Sequence, residues 1–339
     1  MVRFLLRLLS RLLLLALVLG LLGLAIGPLL IDPNPAPGAA SAAAVAPPES
    51  RFITIDFPGT EGLPLHYLAR GGPAGSDEAP VFVLLHGFTF NAFTWNRLLD
   101  FFGGYGPVLA YDQIPYGLSA KPLPGTWQDR NPYSKAAALE QLFMLLDRFD
   151  IQHAVLVGNS SGGTLALDAA VARPERVEAL ILISPWVHSK RPILPAWLVN
   201  LPQMQRLSLL LGRWLGASSP LLDLSYADPS RIDAVRRELT GIHRLMAGWD
   251  LAWGALLSRS LTDPVEIGKH LAEVRQPVLV ITGANDSVVP VSDTKATAEA
   301  LPDADFVILP GCGHVAQEEC PEQVAGAIRD WLGVRGLGR

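Results

Sequence analysis

The chain has 339 residues, of which half are hydrophobic and 17% are charged, and its formal net charge is -5. These proportions exclude a mainly disordered protein, and the acidic balance argues against a nucleic-acid partner, which normally requires a basic face. The sequence contains no CxxC pair and no HExxH helix, so we expect no metal ion and no other cofactor.

The N-terminal segment predicts a membrane anchor. Arg3, Arg7 and Arg11 precede an uncharged apolar run at residues 12–31, which as a helix would reach roughly 30 Å, the thickness of a bilayer's hydrocarbon core. Positive charges favour the cytoplasmic side, so residues 1–31 would form a single-pass anchor in the cell membrane with the rest of the chain outside the cytoplasm. The alternative is a cleaved secretory signal with a small-residue site at 40–42, which would make the protein secreted.

Residues 32–50 are rich in Pro, Ala and Ser and lack an amphipathic period. Such a composition predicts a semi-extended tether. We therefore expect the folded part of the chain to begin near Arg51.

From Arg51 onward, strand-like and helix-like segments alternate. Short apolar runs predict strands at 51–57, 65–70, 81–87, 107–112, 153–160, 179–184, 277–283 and 305–311. Apolar residues at helical spacing predict helices at 134–149, with Ser134 as the N-cap, at 161–172 and at 321–332. The alternation indicates an α/β fold with a mostly parallel, doubly wound, eight-stranded sheet, whose sites lie beyond the carboxyl ends of the strands.

One long interval breaks this alternation. Residues 185–270 show several helical patterns and no strand signal, and they contain five of the eight tryptophans. We interpret the interval as a helical cap inserted between two strands, which divides the α/β core into residues 51–184 and 271–339. Its Leu and Trp content predicts an apolar substrate pocket, with Trp186 and His188 as candidate wall residues.

The sequence GNSSG at residues 158–162 lies between a predicted strand and a predicted helix. Glycines stand two positions before and two positions after Ser160, as a serine on a sharp strand-to-helix turn requires. Ser161 has Asn159 and Gly163 at these offsets and fits less well. Ser160 is therefore the candidate nucleophile, and the alternative is a glycine turn without chemistry.

A serine hydroxyl needs a base, and the base must be oriented by a third group. His314 follows the last predicted strand among glycines, and Asp286 follows the strand at 277–283. The resulting chain order, Ser160, Asp286, His314, is that of a strand-turn-helix hydrolase site. His188 is the second choice for the base.

Two backbone N–H groups should stabilise the oxyanion that forms when a serine attacks a carbonyl. We expect one from Ser161, directly after the candidate nucleophile. The other should come from Phe88, in the loop that follows the predicted strand at 81–87.

Five motifs occur in one order along the chain: HGF at His86, YDQIPYGLS at Tyr111, GNSSGG at Gly158, GANDSVVP at Gly283 and GCGHVAQEECPE at Gly311. With these motifs, residues 52–332 resemble an α/β-hydrolase with a helical cap. The chain departs from the family pattern D-x-x-G-x-G-x-S at Pro115, which replaces the first glycine. Other branches of the family use an aspartate nucleophile for haloalkanes or epoxides. Ser160 makes this chain resemble the esterase, lipase, perhydrolase and carbon–carbon-bond hydrolase branches.

The two cysteines, Cys312 and Cys320, bracket His314. Outside the cytoplasm they could form a disulfide that holds the loop around His314, which we call the histidine loop. Alternatively, Cys312 is a small buried hydrophobic residue.

These observations predict a membrane-tethered serine hydrolase that cleaves an ester or similar acyl bond of an apolar substrate. One alternative is a carbon–carbon-bond hydrolase or a cofactor-free perhydrolase with the same triad. Another is a non-catalytic binding module that has kept the fold.

Overall fold

The structure is a computed structural model that describes residues 2–71, 79–188 and 192–337. The predicted anchor, core and cap also include residues 1, 72–78, 189–191, 338 and 339, which lie outside the described residues.

Eight strands form one sheet. They are β1 (Arg51–Ile55), β2 (Leu63–Arg70), β3 (Phe82–Leu85), β4 (Val108–Tyr111), β5 (Ala154–Asn159), β6 (Val177–Ile183), β7 (Val278–Gly283) and β8 (Ala304–Leu309). Their order across the sheet is β1-β2-β4-β3-β5-β6-β7-β8. Strand β2 runs antiparallel to both of its neighbours, and all other neighbouring pairs are parallel. The predicted eight-stranded, mostly parallel sheet is confirmed.

Twelve α-helices are described within these residues. They are α1 (Val2–Ile26), α2 (Leu99–Gly103), α3 (Lys135–Arg148), α4 (Ser161–Ala172), α5 (Ala196–Val199), α6 (Pro202–Ser218), α7 (Pro220–Ser225), α8 (Ala234–Thr240), α9 (Trp249–Ser260), α10 (Val291–Ala300), α11 (Ala316–Glu319) and α12 (Pro321–Arg335). Ser134 caps α3 as expected, because its hydroxyl accepts a hydrogen bond from the Ala137 N–H at 3.1 Å.

Helices cover both faces of the sheet. On β5, Leu156 belongs to the hydrophobic cluster that contains Leu145 of α3, whereas Val155 and Val157 belong to the cluster that contains Ile328 of α12. Every residue of β3, β4, β5 and β7 is buried. The continuous apolar runs of these strands follow from burial on both faces.

Helices α5 to α9 lie between β6 and β7, in the interval where the sequence shows only helical patterns. Within this inserted segment, α6 and α9 pack closely at two glycines. A Cβ on Gly212 would lie 3.0 Å from the backbone nitrogen of Gly254, so a larger residue at either position would push the helices apart.

At the N-terminus, residues 6–30 are long and apolar enough to cross a membrane by length and composition, and they are almost wholly exposed. A signal sequence has the same properties.

Residues 32–50 are docked against the folded chain rather than free. Asp250 of α9 accepts hydrogen bonds from the Ala36 N–H and from Arg213, both at 2.8 Å, and Arg213 also donates to the carbonyls of Asp32 and Asn34. Ala39 forms a β-bridge with Met246. We call residues 32–50 the docked segment. Its composition could not predict this contact, because the partners that satisfy its backbone are about 200 residues away in the sequence.

Candidate active site

Ser160 occupies the sharp turn between β5 and α4. Its φ of +54° and ψ of -120° are strained for a residue with a side chain. A Cβ on Gly162 would lie 2.1 Å from the carbonyl oxygen of Leu85, and a Cβ on Gly158 would lie 2.5 Å from the carbonyl oxygen of Gly162. The turn can therefore form only with glycine at the positions two before and two after Ser160.

Asp286 and His314 are in direct contact. His314 Nδ1 lies 2.9 Å from Asp286 Oδ2, and Asp286 Oδ1 accepts hydrogen bonds from the N–H groups of Val288 and Val289. Burial raises the pKa of the Asp286 carboxyl group. The hydrogen bond and charge of His314, with hydrogen bonds from Ser184 and Val289, outweigh that effect and hold the pKa below its usual range. The carboxylate is thus ionised at neutral pH, and it fixes the imidazole with a proton on Nδ1.

Asn159 connects the serine turn to the histidine loop. Its side-chain amide donates to the carbonyl of His314 at 3.1 Å and to the carbonyl of Ile183 at 3.0 Å. Ser160 Oγ itself makes no hydrogen bond to a residue that the structure describes. Catalytic hydrogen bonds are often long without substrate and shorten in the substrate complex.

The loop that contains Phe88 lies against the serine turn. A Cβ on Gly87 would be 3.0 Å from the Cβ of Ser160. His86 fixes the loop, because its Nδ1 is 2.8 Å from the Gly87 carbonyl and its Nε2 accepts from the Gln113 N–H at 3.0 Å. Burial lowers the pKa of His86, which keeps the ring neutral and suits this pair of contacts.

The histidine loop is held from both sides. The His314 N–H donates to the Ser225 carbonyl at 2.8 Å, which ties the loop to the end of α7. The carboxylate of Glu319 accepts from the N–H groups of Gly313, Ala227 and Asp228 at 2.7 to 3.0 Å. These contacts fix the backbone on which the imidazole stands.

A disulfide joins Cys312 and Cys320, on either side of His314. Both side chains are also buried. Of the two interpretations that the sequence left open, the structure has the disulfide, and the bridged cysteines are also part of the core.

A cavity of about 430 Å³ opens at Ser160. Its wall is mostly apolar, and it combines residues of the core with residues of the inserted segment. The core contributes Phe88, Gln113, Ile114, Tyr116, Pro132, Tyr133, Ser134, Lys135, Ala138, Ser160, Ser161, Thr164, Leu165 and Asp168, and the inserted segment contributes Trp186, Leu256, Ser260, Leu261, Asp263 and Val265. The cavity has the size and polarity of a site for a small apolar ligand.

Of the two residues that the sequence predicts in the cavity wall, only one lies there. Trp186 lines the cavity. His188 does not: its side chain is exposed and lies beside Gly268, away from the cavity wall. Of the residues that follow β6, Trp186 reaches the cavity wall, Val187 is buried in the hydrophobic core and His188 is exposed.

Asn159 and Glu319 are the residues of this site that sequence reasoning missed. The side chains of both residues form hydrogen bonds with backbone groups of loops that are remote in sequence. No spacing in the sequence could therefore predict their roles. No cluster of three or more His, Cys, Asp or Glu side chains that could hold a metal ion occurs in the part of the chain that the structure describes.

Comparison with known proteins decides the family. The profile of the alpha/beta hydrolase family matches residues 82–327. The chain belongs to this family. The resemblance that rested on the five motifs is thereby confirmed, and the chain is a hydrolase of the alpha/beta type.

Relatives in sequence include the putative carbamate hydrolase RutD of Caulobacter sp. (strain K31), which is 27% identical over 79% of this chain and 95% of its own length. Another is the 2-hydroxymuconate semialdehyde hydrolase of Pseudomonas putida, which is 28% identical over 66% of this chain and 76% of its own length.

Among solved structures, a membrane phospholipase A described as a bacterial virulence factor is similar in fold, with a TM-score of 0.64, 24% identity and 99% coverage of both chains. The enol-lactonase from Burkholderia xenovorans LB400 has a TM-score of 0.65 and 18% identity, over 84% of this chain and 100% of its own. At these identities the similarity concerns the fold.

Proposed function

We propose that this chain is a membrane-tethered serine hydrolase that cleaves an ester or similar acyl bond of an apolar substrate. The observation that carries the proposal is the 2.9 Å contact between His314 and Asp286, at the edge of the sheet where Ser160 lies on its strained turn and faces the cavity. The nucleophile Ser160, the orienting carboxylate Asp286 and the base His314 occur along the chain in the order of the family's serine enzymes.

In the proposed mechanism, Ser160 Oγ attacks the carbonyl carbon while His314 Nε2 accepts the hydroxyl proton. Asp286 stabilises the imidazolium that forms. His314 then gives this proton to the leaving alcohol, which departs and leaves an acyl group on Ser160. Water, deprotonated by His314, releases the acid and restores the serine.

The oxyanion of each tetrahedral intermediate would be stabilised by two backbone N–H groups. Ser161 is the first residue of α4, so its N–H has no acceptor within the helix. The N–H of Phe88 has no acceptor among the described residues, and its loop is fixed against Ser160 by His86. One such donor is worth roughly 3–4 kcal/mol in the transition state.

The apolar cavity wall supports a lipophilic acyl or alcohol group. The exposed apolar stretch at residues 6–30 supports the membrane tether. One protein of similar fold that spans the whole chain is named a membrane phospholipase A. Phospholipid and medium-chain esters are therefore the first substrates to try, and we expect medium-chain esters to be hydrolysed faster than acetates.

The nucleophile is tested with a fluorophosphonate probe, which labels activated serines covalently. The full-length protein should be labelled, Ser160→Ala should lose the label, and Ser230→Ala, an exposed serine remote from the cavity, should keep it. Retention of the label in Ser160→Ala would contradict the assignment, and its loss in Ser161→Ala alone would transfer the role to the neighbouring serine. An unlabelled wild-type protein would favour a non-catalytic binding module.

The relatives named as a carbamate hydrolase and a 2-hydroxymuconate semialdehyde hydrolase give the second candidate, cleavage of a C–N or C–C bond by the same three residues. Product analysis on a carbamate, a diketone-type compound and a simple ester separates these reactions.

A further inference from the structure

Helix α6 is apolar on both of its faces. One face packs against α9 and is buried at Ser208, Leu209, Gly212, Leu215 and Gly216. The opposite face is exposed at Leu207, Leu210, Leu211 and Trp214, whose side chains are 43 to 56% accessible. Their spacing of three, four and seven residues places them in one stripe.

Two further exposed apolar side chains precede α6, Trp197 on the neighbouring short helix α5 and Ile193 just before that helix. Trp197 is 69% exposed and Ile193 is 45% exposed, and Gln205 of α6 holds α5 through a hydrogen bond to the carbonyl of Val199. We call Ile193, Trp197, Leu207, Leu210, Leu211 and Trp214 the outer cap face. Exposed apolar residues are normally scattered singly, and several of them grouped on neighbouring helices indicate an interaction site.

The outer cap face adjoins the end of the proposed anchor. Gln203, in the first turn of α6, donates to the carbonyl of Ala25 at 3.0 Å, and Pro28 is buried. Arg213, near the other end of α6, holds the backbone of Asp32 and Asn34. Both ends of α6 are thus fixed to the chain at the point where residues 6–30 end.

The charge of this region matches a membrane surface. Between Glu178 and Asp223 the sequence contains no acidic residue, although the whole chain carries a net charge of -5. The same interval contains Lys190, Arg191 and Arg206, in addition to Arg213, whose charge is balanced by the Asp250 carboxylate. Apolar and tryptophan side chains flanked by basic residues are typical of helices that lie in the interfacial region of an anionic bilayer.

We propose that the outer cap face lies in the headgroup region of the bilayer that holds the anchor, so that α6 is an interfacial helix. The inference rests on the proposed membrane tether. The lipid bilayer is then both the partner of the outer cap face and the source of the apolar substrate.

The outer cap face is linked to the cavity wall by a backbone hydrogen bond. The N–H of Leu194, next to Ile193 of the outer cap face, donates to the carbonyl of Leu261 at 2.8 Å, and Leu261 lines the cavity. This contact places the chain next to Ile193 against the wall of the cavity, on the side from which a lipophilic ester in the bilayer would enter.

Quenching of tryptophan fluorescence tests the position of the face without requiring activity. The full-length protein is reconstituted in phosphatidylcholine–phosphatidylglycerol vesicles, with or without phosphatidylcholine brominated in the upper part of its acyl chains. Trp197 and Trp214 should be quenched, and the double variant Trp197→Phe/Trp214→Phe should lose most of that quenching. Equal quenching of wild type and double variant would overturn the inference.

Activity provides a second test. Leu210→Asp/Leu211→Asp should reduce turnover of an ester dissolved in the vesicles by about tenfold, because two apolar side chains leave the bilayer. Turnover of a short water-soluble ester should be unchanged, which also shows that the variant is folded. Val334→Asp, at an exposed apolar position on α12, is the matched control and should behave as wild type. A parallel loss on both substrates would count against the bilayer as the source.

A second copy of the chain is the competing partner. If the face is a dimer interface, the wild-type protein sediments as a dimer in detergent, Leu210→Asp/Leu211→Asp is monomeric, and bromolipid quenching is absent. Release of the intact chain from vesicles by alkaline carbonate would overturn the tether and this inference together. A retained chain without quenching would overturn the inference alone.

Discussion

His243 is a buried imidazole that the proposed reaction does not use. Its ring stacks on Trp253 with centroids 4.5 Å apart, and Trp253 packs in turn against Tyr116 in the cavity wall. Burial, followed by the positive charge of Lys121 and of Arg244, lowers the pKa of His243 to about 3. The ring is therefore neutral in the folded protein, and its protonation is coupled to the packing of the inserted segment.

This coupling predicts a stability that depends on pH. Below about 6.5, the usual pKa of histidine, the unfolded chain binds a proton at His243 that the folded chain does not bind. The contribution of His243 to the free energy of unfolding is thus complete above that pH and is lost as the pH falls toward 3, by at most about 1.4 kcal/mol per pH unit. Urea unfolding at a series of pH values should show a shallower decline for His243→Phe than for wild type. The exposed His153→Phe is the control, and equal slopes for wild type and His243→Phe would contradict the prediction.

At the scale of secondary-structure elements, the histidine loop depends on contacts from α7 and α11 more than on its own sequence. The carboxylate of Glu319, the last residue of α11, accepts hydrogen bonds from three backbone N–H groups. One of these belongs to Gly313, next to His314. Glu319 is therefore a positioning residue: it affects the reaction by fixing the position of the His314 imidazole.

Removal of this carboxylate should displace the base while leaving the cavity intact. We expect Glu319→Ala to lower kcat by about 10²-fold with little change in KM, the size of effect that a displacement of about 1 Å can have. Glu319→Gln should recover part of the loss, because its amide oxygen still accepts hydrogen bonds. Glu322→Ala, an exposed position on α12, serves as the control. A rise in KM at constant kcat would assign Glu319 to substrate binding instead.

Local patterns were sufficient for some elements and not for others. The cap at Ser134 and the limits of α4 could be predicted because they depend on hydrogen bonds within one turn and on apolar spacing. Strand ends then selected Asp286 and His314, which the structure brings into contact. The docking of residues 32–50 and the roles of Asn159 and Glu319 could not be predicted, because their partners come from other parts of the chain.

At the scale of the whole molecule, the disulfide is consistent with the proposed location of the hydrolase core outside the cytoplasm. Cys312 and Cys320 are eight residues apart and are the only cysteines of the chain. Such a bond persists outside the reducing cytoplasm, which is where the proposed anchor would leave the hydrolase core.

Loss of the disulfide should destabilise the protein. A loop of this length predicts a loss of roughly 2–3 kcal/mol in the free energy of unfolding for Cys312→Ser/Cys320→Ser. Reductant should lower the urea midpoint of the wild type and leave that of the double variant unchanged. Identical alkylation masses with and without reductant would show that the bond does not form.

The docked segment also decides when the N-terminus could be removed. Peptidases bind their substrates as extended, unpaired chains, yet Ala39 is paired with Met246 and the backbone around it is held by Arg213 and Asp250. In the proposed topology, a cut at residues 40–42 would therefore have to precede the pairing of Ala39 with Met246. In the proposed topology, the anchor would stay attached to the hydrolase core once α6 and α9 have assembled, so the order of cleavage and folding would decide between a tethered and a released protein.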